Sequence, residues 1–205
     1  MTDSINLTYI IVVIVSIIVS LVIHEFMHAY VGHLLGDSTA QEQGRLTLNP
    51  LKHIDPFMTI ILPLITILIF HAPVLAAKPV PFNPARVKYD EFGAAMIAAA
   101  GPFSNLLLAI IGGVLVNHVL PAGTLWSDAF TVFTELNVAL FVFNLLPIPP
   151  LDGSRVLYAV APEPVQELMR TIEPYGLFVI FALVLSAGLG GFLLSLNQSV
   201  LNLLP

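Results

Sequence analysis

Five long apolar stretches joined by short polar connections dominate the chain. The first is uncharged from residue 5 to residue 23 and continues with helical character through His24 to residue 35, where Gly36 ends it. The others cover residues 57–73, 92–120, 129–146 and 175–196. Four of the five reach the roughly 20 residues that an α-helix needs to span hydrocarbon. Residues 57–73 are shorter and contain Pro63. The pattern predicts an all-α polytopic membrane protein of four transmembrane helices, at residues 5–35, 92–120, 129–146 and 175–196. All 205 residues are read as a single integral membrane domain.

The placement of charge decides how residues 57–73 are read. Basic residues follow the first stretch (Arg45, Lys52), follow the second (Lys78, Arg86, Lys88) and lie between the fourth and fifth (Arg155, Arg170). If residues 57–73 re-enter or lie along the surface as a hairpin, all seven fall on one side, which the positive-inside tendency makes cytoplasmic. Both termini are then outside. Such a hairpin must be shielded by neighbouring helices from lipid.

Composition agrees. Only 10% of the residues are charged and 57% are hydrophobic, too little polar surface for a water-soluble domain of this length. Seven basic residues against thirteen acidic ones, with no basic patch, give no reason to expect a nucleic-acid partner. The chain has no cysteine, which excludes disulfides and thiolate metal sites. Within the connections, Arg45-Leu46-Thr47-Leu48 alternates and predicts a short cytoplasmic strand. Residues 152–161 predict a short helix with Asp152 as its N-cap.

The chemistry is concentrated in His24-Glu25-Phe26-Met27-His28. Residues four apart share a helix face, so His24 and His28 can present imidazoles to one Zn²⁺. Glu25 lies about 100° around the helix, within reach of a metal-bound water whose pKa the zinc would lower. Its carboxylate can take the proton as that water attacks a peptide carbonyl. Ionisable side chains beside hydrocarbon are costly unless they have a functional partner. Two histidines leave a zinc site short of a protein ligand. Asp152, in Asn144-Leu145-Leu146-Pro147-Ile148-Pro149-Pro150-Leu151-Asp152-Gly153, is the best candidate, with Gly153 allowing a tight approach. Helix parity brings Asp152 to the side of the histidines only if residues 57–73 do not cross.

Other polar residues take supporting roles. Asn105, within Gly101-Pro102-Phe103-Ser104-Asn105, and Asn144 are candidates for contacting substrate or a developing oxyanion, or otherwise for hydrogen bonds between helices. Gly101 and its preceding alanines allow close helix approach. His53 and Asp55 are candidates for supporting the ligands or anchoring the loop. Glu135 is expected to face protein or a wet cavity. The 45–48 strand could pair with an unwound substrate stretch and expose its scissile bond.

Together these motifs resemble the site-2 protease family of intramembrane zinc metalloproteases in its short bacterial form. The resemblance runs through His24-Glu25-Phe26-Met27-His28, then Gly44-Arg45-Leu46-Thr47-Leu48-Asn49-Pro50 with His53, Asp55 and Pro56. It continues through Ala77-Lys78-Pro79-Val80-Pro81, Gly101-Pro102 with Asn105, and Asn144 to Gly153. It implies one zinc per chain held by His24, His28 and Asp152, with Glu25 activating water and Asn105 and Asn144 near the site. It also implies transmembrane protein or peptide substrates cleaved within a bacterial inner membrane, as in regulated intramembrane proteolysis. The chain departs from the pattern at Met27, Phe57-Met58 and Ser154, which bears on packing and substrate fit. A metal-binding transporter would instead show two comparable halves or polar residues spread over several helices. A non-catalytic scaffold for membrane helices would not need Glu25.

Overall fold

The computed structural model describes residues 7–53, 80–185 and 187–205. Its helices are α1 (Leu7–Leu34), α2 (Thr39–Glu42), α3 (Asp90–Val114), α4 (Leu125–Asn144), α5 (Asp152–Val160), α6 (Glu163–Ile172), α7 (Gly176–Leu185) and α8 (Ala187–Leu201). A π-helical stretch, Leu115–Val119, continues α3. Among the described residues three helices, Leu7–Leu34, Asp90–Val119 and Leu125–Asn144, are long and apolar enough to cross a membrane. The protein is an all-α polytopic membrane protein.

Helix α1 shows how the fold suits its solvent. Its large aliphatic side chains point outward, Ile11 and Val15 being about half exposed (51% and 53%). Its buried face instead carries Ser16, Ser20, His24 and His28, each four residues from the next. Lipid accepts the aliphatic face, so the polar face must find its partners inside the protein.

Those partners come from α3 and α4. His28 meets Ile97 and His24 meets Asn105, so α3 runs antiparallel to α1. Asn105 meets Asn137, and Gly112 lies against Thr134, so α4 runs antiparallel to α3 and parallel to α1. Ala109, Val138 and Val142 form an apolar core against residues 193–204.

The turn after α1 is tied to the start of α3. Lys88 N–H donates to Leu35 O (2.9 Å), and Asp37 Oδ2 accepts from Asn83 N–H (2.7 Å). Residues 53 and 80, which flank the hairpin expected at residues 57–73, therefore both belong to connections at the same end of the α1–α3 pair. The hairpin itself, and Asp55 with it, lies outside the described residues.

The stretch expected as a helix at 175–196 is helical as α7 and α8, with residue 186 between them outside the described residues. The chain travels the length of the bundle, from Gly176 beside Pro150 to Pro205, whose carbonyl accepts from Asn117 Nδ2 (2.8 Å). Three expectations need correction.

Residues 45–48 form no strand among the described residues. The Thr47 carbonyl accepts from His53 Nε2 (2.7 Å), and Arg45 Nη1 donates to Lys52 O, which closes the segment into a loop. A ladder needs a second chain segment on that carbonyl.

Asp152 is the first residue of α5, and Leu151 takes the N-cap position. The aspartate is turned to the histidines instead of to its own helix.

Among the described residues Glu135 is exposed on α4 and is not enclosed by protein. It lies seven residues after Asp128 and four after Thr131, and all three are exposed on one stripe of the helix.

Candidate metal centre

Three electron-pair donors converge where α1, α3 and the start of α5 meet. His24 Nε2 and His28 Nε2 are 3.0 Å apart, and Asp152 Oδ2 lies 3.2 Å from the first and 3.3 Å from the second. Helical rise puts the two imidazoles about 9–15 Å from the end of α1, so the cluster is sunk into the bundle.

The outer nitrogens decide what the inner ones can do. His24 Nδ1 donates to Asn105 Oδ1 at 2.6 Å, and His28 Nδ1 donates to Ile97 O at 2.7 Å. Both acceptors are oxygens, so the ring proton sits on Nδ1 and each Nε2 carries a lone pair into the cluster. Two lone pairs and a carboxylate oxygen within about 3 Å repel one another unless a cation lies between them. Tetrahedral zinc with bonds of about 2.0–2.1 Å would space its ligand atoms about 3.3–3.4 Å apart. The triangle is close to that size, and the residues fit the metal.

Asp152 responds to the same demand. Burial works to raise its carboxyl pKa, but the neighbouring His28 and His24 outweigh it and hold the carboxyl below the usual range.

Two glycines make the convergence sterically possible. A Cβ on Gly101 would lie 2.5 Å from His28 Cε1 and 2.7 Å from His24 Cε1, inside van der Waals contact. A Cβ on Gly153 would lie 2.6 Å from Leu146 O, so the turn that delivers Asp152 tolerates no larger residue. Glu25 is buried beside His24 in the chain, and its Oε2 has no hydrogen-bond partner among the described residues. A carboxylate oxygen left unpaired in such a place is costly unless something binds there.

Comparison with known proteins gives the family. The model of peptidase family M50 matches residues 116–187, which include Asp152 but neither His24 nor His28. YwhC of Bacillus subtilis, whose full name is "Putative zinc metalloprotease YwhC", is 41% identical over 174 residues, 81% of this chain and 76% of its own. The chain belongs to peptidase family M50. Rip2 of Mycolicibacterium smegmatis, named in the same way, is 29% identical over 171 residues, 78% of this chain and 61% of its own. MJ0611 of Methanocaldococcus jannaschii is 36% identical over 98 residues, 48% of this chain and 50% of its own. No solved structure matches. The resemblance to site-2 proteases is thereby borne out.

The other candidate residues of this M50 peptidase are spread unevenly around the cluster. Asn105 is in it, fully buried, with its oxygen on His24 and its Nδ2 on Asn137 Oδ1 at 2.9 Å. That geometry matches the expected hydrogen bond between helices. Asn144 donates to Leu140 O of its own helix at 3.0 Å. His53 is buried and bonds Thr47 O, an anchor for the 45–53 loop. His33 is exposed. Met27 lines an apolar groove of about 490 Å³ between α1 and α3, with Ile23, Ala100 and Phe103. Ser154 is buried and donates to Leu151 O at 2.6 Å.

Sequence reading missed Asn137 and undervalued Gly101. Gly101 is four residues from Asn105, one turn along the same face of α3, and that spacing could have revealed its role. Asn137 looks like any polar residue in an apolar helix.

Proposed function

We propose that this M50 peptidase is a zinc-dependent endopeptidase that hydrolyses peptide bonds of transmembrane substrates. One zinc would be held by His24, His28 and Asp152. The observation that carries this reading is the convergence of three proton-free ligand atoms beside a buried carboxylate with an unpaired oxygen. Zinc in such a site supplies a Lewis acid that polarises a carbonyl and lowers the pKa of water.

The chain's residues do the rest. His24 and His28 offer their Nε2 lone pairs because Asn105 and Ile97 hold the protons on Nδ1. Glu25 accepts the proton of the attacking water at Oε2 and returns it to the leaving amine. Burial of the cluster keeps bulk water out and strengthens each of these interactions.

The described basic residues, Arg45, Lys52, Arg86, Lys88, Arg155 and Arg170, all lie in connections at the end of the bundle nearest the site. That supports a cytoplasmic site with both termini outside, and α7 with α8 as the fourth crossing.

The central test uses pure protein in detergent with a transmembrane substrate. Glu25→Gln is expected to keep zinc and lose cleavage. Cleavage at the wild-type rate would show that Glu25 is not the base.

A further inference from the structure

Behind His24 the hydrogen bonds continue. Asn105 Nδ2 donates to Asn137 Oδ1 (2.9 Å) and reaches Ser20 O (3.5 Å). Asn137 Nδ2 donates to Ser20 Oγ (2.9 Å) and to Phe133 O (2.8 Å). Ser20, Asn105 and Asn137 are each 0% exposed, so water cannot replace any of these bonds. The chain of bonds joins α1, α3 and α4 and ends on a metal ligand.

We infer that Asn137 is a positioning residue that fixes which ring nitrogen of His24 faces the metal. An amide side chain can turn over and exchange its oxygen for its nitrogen. Phe133 O can only accept, so it holds Asn137 with its nitrogen toward Phe133 and its oxygen toward Asn105. That oxygen can only accept, so it holds Asn105 Nδ2 toward α4 and leaves Asn105 Oδ1 for His24. His24 must then donate from Nδ1, which leaves Nε2 bare. If Asn105 turned over, its NH₂ would face His24 Nδ1, move the ring proton to Nε2 and block the ligand atom. Ser20 adds a second acceptor for Asn137 Nδ2. The direction of the whole relay is set by a backbone carbonyl, which has no alternative role.

This inference rests on the His24–His28–Asp152 metal reading, and the test separates the two. Histidine labelled with ¹⁵N is incorporated into the metal-free protein in detergent, and the Nδ1 and Nε2 shifts of His24 report its tautomer. Zinc affinity is measured by competition with a chromophoric chelator. In the native protein His24 is expected to be protonated on Nδ1. Asn137→Leu should give a mixture of tautomers and weaken zinc about tenfold, within the range seen for groups that support a ligand. Asn137→Gln keeps both an acceptor toward Asn105 and an NH₂ for Phe133 O and should restore the tautomer and part of the affinity.

Thr134→Val is the packing control. Thr134 is on the same buried face of α4 one turn away and bonds only Phe130 O. It should change thermal stability without changing the tautomer or the affinity. A native tautomer and native affinity in folded Asn137→Leu would overturn the inference. If Asn137→Leu does not fold, equal loss in Asn137→Gln and Thr134→Val would overturn it. Failure of the native protein to bind zinc would instead remove the metal reading, and the tautomer shifts would still decide the relay.

Discussion

Two neighbouring levels of the α1–α3–α4 bundle are held together by different physics. At the level of the metal cluster, the helices are joined by side-chain hydrogen bonds among Ser20, His24, Asn105 and Asn137. One to two turns further from the cluster they are joined by close packing: Ala109 is fully buried, and Gly112 lets α3 settle against Thr134. Helices in lipid gain little from apolar burial alone, since the tails are as apolar as the side chains, and small residues suffice to bring them together. The polar level is therefore not needed to assemble the bundle. Its cost is explained by the ligands it holds.

That contrast can be broken at a glycine on each side. Gly101→Ala should have the largest effect, because the new methyl displaces both imidazoles. Zinc affinity is expected to fall about 100-fold or more, at the top of the range for disturbing the support of a ligand. Chelator competition measures it, and near-native affinity would mean the histidines have another arrangement. Gly112→Ala places its methyl against Thr134 Oγ1 at the packed level. It should cost about 2 kcal/mol of stability by overpacking while leaving zinc affinity unchanged.

Asp37 gives a smaller, pH-dependent effect. It is buried just beyond α1, accepts from Thr39 N–H and from the Thr39 hydroxyl, and accepts from Asn83 N–H. Burial works to raise its pKa, but these bonds and the nearby Arg86 charge outweigh it and hold the carboxyl below the usual range. A carboxyl lowered on folding adds stability that is present above its unfolded value of about 4 and is lost as pH falls toward the folded value. Asp37→Asn should lower stability by about 1 kcal/mol at neutral pH and flatten the acid side of the melting curve. A melting profile between about pH 3 and 6 would show it, and an unchanged acid limb would contradict it. Glu135→Gln should change detergent stability by less than about 0.5 kcal/mol, because the side chain is exposed.

The site was partly legible because some of its spacing is local. His24 and His28 share a face by helical period alone, and Glu25 follows from its neighbour. Asp152 is 124 residues beyond His28, but parity of the crossings and the distribution of basic residues placed it on the right side. Asn105 and Asn144 looked equivalent as single amides in apolar surroundings. Asn105 reached the cluster because α3 lies against α1 there, while Asn144 turned back into its own helix. The 45–48 strand could not be settled from alternation, because a strand exists only with a partner. Its carbonyl found His53 instead.

The sequence alone determined that the chain enters the membrane, that two imidazoles and a carboxylate lie on one helix, and that this family of chemistry was intended. Those properties depend on composition and on residues within one turn of each other, and they survive any packing of the helices. Only the tertiary structure decided that Gly101 clears the space for the rings, that Asn105 and Asn137 aim one of them, and that Asp152 leaves its helix cap to face them. Each of those depends on how closely two helices approach and in which register, and a single helix carries no record of either.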